Sequence, residues 1–197
     1  DKFGAFAEIT LTPHTALHQY YFQDGWAHIT VDLSGGDPAF SGGMLSFNGP
    51  MEMFGYTYQQ NKSSGERERV WFAIRIDRTA MNGGLYKNGK MLPADATIVE
   101  GDNISAFFSY RTLEGNAINA KIALSTDSLE EAIEYLNLEQ PAWSFPLIRQ
   151  RAREAWQKHL SQIIVHGGAN ENKSLFYESL YNAILKSRPA EDDTSYA

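Results

Sequence analysis

Cysteine is absent from the 197 residues, which removes a disulfide framework, a thiolate zinc site and a cysteine nucleophile from consideration. It leaves the compartment open, because exported proteins also do without disulfides. Long apolar runs are missing too. VWFAI and IIV fall far short of the roughly 20 residues a membrane-spanning helix requires, so no membrane insertion is expected. The first residues show no charged-then-apolar order, and no export leader is read from them. Positive charge is scarce, with 17 Lys and Arg against 24 Asp and Glu and a net charge of −7. That balance speaks against nucleic acid or anionic lipid as partners, since both need clustered cations to displace counterions. The basic cluster Arg149, Arg151 and Arg153 lies on the polar side of a helical stretch and reads as a solvated face. The sequence also lacks HExxH, a Walker-type glycine loop, GxGxxG and GxSxG, the short patterns that announce zinc, phosphate, dinucleotide and hydrolase chemistry.

Apolar and aromatic residues are plentiful, at 43% and 13% of the chain, enough for the core of one domain or one and a half. Residues 1–124 read as short strands separated by turn chemistry. Alternation is clearest in WAHITVDL, where Ala27, Ile29, Val31 and Leu33 share a face, and in VWFAIRI, where Val70, Phe72, Ile74 and Ile76 do. GAFAEITL, TALHQYYF, PMEMFGYTY, NISAFFSY and AINAKIAL behave similarly. Between them SGGDPAFSGG, NKSSGERER, NGGLYKNGK, EGDN and LEGN are expected to be turns. Seven or more such strands predict an antiparallel β-sandwich. Trp26 and His28 oppose the Ile29 face, and Trp71 and Ala73 oppose the Phe72 face, so several strands are expected to be covered on both sides by something docked outside.

Near residue 125 the period changes from two to 3.6, the strongest boundary in the chain. Ser128 with Glu131 three residues on predicts a reciprocal capping box, followed by the buried stripe Leu129, Ala132, Ile133 and Leu136. Beyond Pro141, Ser144 can cap a second helix with the stripe Phe145, Ile148, Ala152, Ala155, Trp156 and Leu160. After Gly167 and Gly168 a third helix carries two apolar stripes. Leu175, Phe176, Leu180, Ala183 and Ile184 form one, and Tyr177, Tyr181 and Leu185 the other, so it needs neighbours on two sides. All strands precede all helices, which predicts an α+β chain of two modules.

Few side chains point to chemistry. His14 and His18 fall in a strand-like segment, where a spacing of four makes no ligand pair, and a strand-surface role is favoured. His28 has no carboxylate at motif distance, and His159 and His166 flank a helix end. Glycoside hydrolysis needs two carboxylates across a sugar, but no spacing selects a pair among the acids. Glu191, Asp192 and Asp193 could offer calcium hard oxygens, yet read as a solvated tail. Trp71 with Arg75, or Trp26 with His28, could form a sugar platform. With Trp143 and Trp156 in the helical stretch, the favoured reading is that these indoles cover the sheet beneath the helices.

The stretch SFPLIRQRAREAWQKHLSQIIVHGGANENKSLFYESLYNAI resembles the interdomain junction of the glycoside hydrolase family 92 exo-α-mannosidases. The matching positions are Ala152, Arg153, Trp156, Leu160, Ile163, Val165, Gly167 and Gly168, then Phe176, Tyr177, Leu180 and Tyr181. HQYYF, WAHITVDL and VWFAIRI look like strands of that family's sandwich. The resemblance implies a sandwich of the galactose-mutarotase-like, supersandwich type over 1–124, a helical linker over 125–168, and the first helix of an (α/α)₆ catalytic barrel with a polar tail over 169–197. It implies a calcium-dependent, inverting enzyme that removes terminal α-mannose from mannose-rich glycans, exported to the periplasm, cell surface or medium. Acid, base and calcium ligands would lie outside this stretch. AEDDTSYA after Pro189 departs from the family's usual continuation, so no catalytic, cofactor-binding or metal-binding residue is carried over. On this reading the chain is a fragment, a processed piece or a truncated relative, inactive alone. Its third helix would meet a missing barrel or self-associate. The alternative is a non-enzymatic carbohydrate-binding or structural sandwich module.

Overall fold

The computed structural model describes residues 5–33, 40–60 and 65–187. The chain divides into two compact units, Asp1–Arg149 and Gln150–Ala197. Among the described residues of the first, eleven strands make two antiparallel sheets. The strands are β1 (Phe6–Leu11), β2 (Thr15–Tyr21), β3 (Gly25–Asp32), β4 (Phe40–Phe47), β5 (Glu52–Gln60), β6 (Arg67–Ile76), β7 (Asn82–Lys87), β8 (Lys90–Met91), β9 (Ile98–Gly101), β10 (Ile104–Thr112) and β11 (Ala117–Ser125). One sheet runs β1-β2-β11-β6-β5-β4-β9 and the other β3-β10-β7-β8.

The period-two pattern decides what lies between the sheets. Phe72, Ile74 and Ile76 of β6, with Leu45, Met53, Ile118 and Ala120, meet Ala27, Leu85, Ile104, Ala106, Phe108 and Tyr110 of the smaller sheet in one core. Ile29, Val31 and Leu33 join its edge. The two faces read from alternation are therefore the inward faces of the two sheets.

Four runs expected as turns contribute strand residues instead. Phe40 to Gly43 open β4, with a register shift between Ser41 and Gly43, and residues 67–69 of NKSSGERER open β6. NGGLYKNGK is a hairpin in which β7 and β8 are joined by Asn88 and Gly89, at φ 53° and 71°, the left-handed pair a tight hairpin turn demands. Gly83 and Gly84 sit inside β7 because rings of β10 lie over them on both sides. A Cβ on Gly84 would stand 2.7 Å from Cε1 of Phe107, and one on Gly83 2.9 Å from Cδ1 of Phe108. The ring area compensates for the missing side chains. EGDN likewise lends Glu100 and Gly101 to β9.

After β11 the chain enters α1 (Leu129–Glu139). Ser128 caps it, its Oγ accepting from the Glu131 N–H at 3.1 Å. The expected reciprocal leg is absent. Ser125 Oγ accepts from the N–H groups of Asp127 and Ser128, at 3.0 and 3.3 Å, and pairs with the Glu131 carboxylate, so a third residue relays the box. Ala132 and Leu136 lie on Ala73 and Ala123, with Leu129, Ile133 and Phe54 around them. The stripe is the expected one, and it covers the outer face of the seven-stranded sheet.

The carboxyl end of α1 is latched by long-range polar contacts. Glu139 accepts from the Thr12 hydroxyl and from the His14 N–H at 3.1 Å, and its Oε1 lies 2.5 Å from His14 Nδ1. The His14 ring stacks on Tyr135 at 4.0 Å. Lys121, almost fully buried, donates to the Gln140 carbonyl and lies 4.1 Å from the centre of the Trp143 ring. A helix C-terminus and an indole face both favour a cation. Burial, and secondarily the Arg75 charge, still hold the Lys121 ammonium below its ordinary pKa.

α2 (Phe145–Leu160) begins directly after Ser144 and buries Phe145 and Ile148 against Leu17. In the second unit α3 (Asn170–Ser187) follows Gly167 and Gly168, both with φ near 77°. Tyr177 of α3 donates to the Ile163 carbonyl at 3.1 Å, and Trp156 meets Tyr181 with ring centres 4.5 Å apart. No described side chain of α3 is buried, and Leu175, Tyr181 and Leu185 are exposed. No described helix is long and apolar enough to cross a membrane.

Candidate functional site

The histidines are dispersed by the fold. His14 sits in the turn before β2 rather than on the strand surface expected for it, because Glu139 draws it to α1. His18 lies within β2, with Nδ1 2.6 Å from the Tyr20 hydroxyl, and burial lowers its pKa. His159 occupies the last turn of α2 and His166 the following loop. Glu191, Asp192 and Asp193 lie outside the described residues. Among the described residues no three His, Asp or Glu stand close enough to hold a metal ion.

The two tryptophan pairings turn out differently. Trp71 and Arg75 share the outer face of β6, but Ala73 between them is sealed under α1. Arg75 is drawn away to Glu52, at 2.6 Å, and to Asn137 of α1, at 3.1 Å. Trp71 joins a cluster that the sequence pattern does not reveal. Tyr56 packs edge-on to it at 5.0 Å, and the Arg69 guanidinium lies 4.4 Å from the Tyr56 ring and 5.0 Å from Trp71. The Tyr56 hydroxyl donates to Glu100 at 2.7 Å, and that bond, then burial, pushes its pKa up to about 12. These rings serve one another and the guanidinium, so Trp71 packs against side chains of its own sheet.

For Trp26 and His28 no described helix of the first unit supplies a cover. α1 packs on the other sheet, and the Trp26 side chain is 57% exposed. The register aligns Trp26 with Arg111, His28 with Ser109, and Thr30 with Phe107 on β10. It then sets Phe107 opposite Gly84, and Ser109 opposite Asn82, on β7. Phe107 stands 6.3 Å from the His28 ring and 5.8 Å from the Tyr86 ring. His28 Nδ1 shares a hydrogen bond with Ser109 Oγ at 2.8 Å, and Arg111 lies 5.5 Å from the Trp26 ring centre. The result is a solvent-facing surface on which rings alternate with hydrogen-bonding groups, held by a rigid sheet. Phe107, Tyr86 and Arg111 are not legible in the sequence as partners of Trp26. Only the strand register brings them together, although a pair of glycines facing two phenylalanines is a signal that points to it.

A cleft of about 350 Å³ opens at one end of the sandwich between Phe47, Pro50, Met81, Asn82, Thr97 and Phe108. Its walls are mostly apolar, and it brings no titratable pair together.

Residues 1–125 match the glycosyl hydrolase family 92 N-terminal domain, and residues 131–197 match the glycosyl hydrolase family 92 catalytic domain. The chain belongs to glycosyl hydrolase family 92. Its fold is that of the family's N-terminal sandwich. The family GH92 α-mannosidase BT3965 from Bacteroides thetaiotaomicron superposes with a TM-score of 0.81 at 19% identity, over 91% of this chain and 25% of that one. Its complex with mannoimidazole gives 0.83 at 20% identity, over 91% and 24%. The family GH92 inverting mannosidase BT2199 from Bacteroides thetaiotaomicron VPI-5482 gives 0.81 at 22%, over 90% and 24%. The chain therefore spans about a quarter of the length of these family 92 structures. No curated protein matches the sequence.

Proposed function

We propose that this chain is the sandwich and linker portion of a calcium-dependent, inverting exo-α-mannosidase acting on terminal α-mannose of mannose-rich glycans. One observation carries the reading: a single chain matches the family's N-terminal domain and then, six residues on, its catalytic domain. The solved neighbours bear mannosidase names, and one is held with mannoimidazole, which supports mannose as the sugar. In this reading residues 1–124 are the sandwich, 125–168 the linker, and 169–197 the opening of the (α/α)₆ barrel. The exposed flanks of α3 would be buried by the rest of that barrel, since a helix with apolar side chains on two sides does not rest in water. Self-association through α3 is the competing way to bury them.

Inverting hydrolysis needs an acid to protonate the leaving oxygen and a carboxylate to activate water on the opposite face of the ring. Neither role is assigned to a residue of this chain. Its part is to wall the cleft and carry the interface, and calcium belongs with ligands elsewhere in the intact enzyme. The mannoside substrate supports an exported protein.

Two assays test this. The 197-residue chain, supplied with calcium, is expected to release no mannose from an aryl α-mannoside or from mannobiose; robust calcium-dependent release overturns the assignment of the chemistry elsewhere. The full-length protein is expected to release mannose with its anomeric configuration inverted, followed by proton NMR of the first product. Retention, or a complete lack of hydrolysis, overturns the mannosidase reading.

A further inference from the structure

We propose that the outer face of the four-stranded sheet binds mannose-containing oligosaccharides, with Trp26 and Phe107 as stacking rings. A pyranose presents a patch of C–H bonds on one face and a rim of hydroxyls, so a surface that binds it offers an aromatic ring beside hydrogen-bonding groups. The described face has that composition in alternation. Trp26 neighbours Arg111, and Phe107 sits between His28 and Tyr86. Arg111 engages one side of the Trp26 indole, yet the residue stays 57% exposed. His28 spends Nδ1 on Ser109 and retains Nε2 for a hydroxyl. Asn82 spends its Oδ1 on the Gly83 N–H at 2.9 Å and retains its amide hydrogens.

The backbone is shaped to hold this arrangement. The Phe107 ring lies over Gly84, where a Cβ would come within 2.7 Å of its ring and 2.9 Å of Met91 Cε. A side chain there would lift the ring out of the surface. The platform is pleated sheet rather than loop, which fixes ring positions before a ligand arrives and lowers the cost of ordering them. A protein partner or a second copy of the chain is the less fitting occupant. Protein interfaces of useful affinity centre on a contiguous apolar core, and here polar groups interrupt the rings at each register step. Arg111 and Asp32 bring opposite charges to the face, which favours a neutral ligand over an anionic one. The choice of mannose rests on the mannosidase reading above; the stacking geometry does not depend on it.

The test is affinity electrophoresis of the 197-residue chain through gels containing α-mannan, with calorimetric titration of mannotriose to give the constants. Trp26→Ala and Phe107→Ala are each expected to weaken binding roughly tenfold or more. Trp71→Phe, on the other sheet, is expected to leave it unchanged, with far-UV circular dichroism matching wild type in all three. A folded wild-type chain that is not retarded overturns the proposal. So does retardation insensitive to Trp26 and Phe107, or concentration-dependent self-association that either alanine abolishes without any response to sugar. Binding of cello-oligosaccharides through the same two rings in preference to mannan overturns the mannose assignment of this surface, while the mannosidase reading stands or falls with hydrolysis by the full-length protein. If instead no glycan binds while the full-length protein hydrolyses mannosides, the failure belongs to the surface alone.

Discussion

Beneath α1 the seven-stranded sheet turns alanines outward, where the four-stranded sheet turns rings outward. Ala73 and Ala123 leave room for α1 to approach, and Leu136 and Ala132 fill the space above them. On the other sheet Trp26 and Phe107 occupy corresponding outward positions, and no described helix of the first unit packs there. The difference teaches that outward hydrophobicity alone does not say whether a strand is covered. Residue size does better: small residues at the centre of an outer face admit a helix, and large amphipathic rings serve as a surface themselves.

The firmest way to break the comparison is to empty the covered side. Leu136 is 1% exposed, and Leu136→Ala is expected to cost about 2–5 kcal/mol through the cavity it leaves, measured by urea unfolding. A loss under about 1 kcal/mol would mean that α1 is a loose passenger. A smaller loss is expected from Lys121→Ala, which orphans the Gln140 carbonyl and uncovers Trp143; about 1–3 kcal/mol is the cost of a buried acceptor left unmade. This lysine also gives a signed pH dependence. Its folded pKa is lowered from 10.5, so between that lowered value and 10.5 the unfolded state binds more protons. Wild-type stability from this group therefore rises with pH through that window. The stability difference between wild type and Lys121→Ala is expected to widen from neutral pH towards pH 10.5, and a narrowing would show that the latch depends on the charged ammonium. The smallest effect sharpens the contrast from the open side. Trp26→Ala is expected to change stability by no more than about 0.5 kcal/mol, and a loss of several kcal/mol in the same urea titration would mean that the indole is buried after all.

Much of this fold is legible in the sequence because the two sheets share one core. β3, buried on one side and not the other, and β6, whose inward face carries the large apolar residues while Ala73 on its outer face lies under α1, both display the period of two, and the Ser128 cap marks the switch to helix without ambiguity. β4 and β7 are hidden for a common reason. Glycines at 42, 43, 83 and 84 stand where backbone or rings from a neighbouring segment pass too close for a side chain. Locally such a segment looks like a turn, and only its neighbour explains it. The same limit applies to the surfaces. Trp26 announces itself, whereas Phe107 and Tyr86 join it only through register with β10 and β7. The place of His14 is not legible because its partner, Glu139, is 125 residues away. The missing half of the capping box has a nearer cause: the Ser125 hydroxyl, three residues before the cap, outcompetes the Glu131 carboxylate for the Ser128 N–H.

Lys121 resting on Trp143 gives the molecule a built-in optical gauge. An indole that feels a nearby ammonium and one that faces only solvent emit differently, so Trp143 reports whether the end of the first helix is seated, while Trp26 on the far side reports ligand arrival. With the other tryptophans replaced by phenylalanine, each event can be followed separately by its own colour of light.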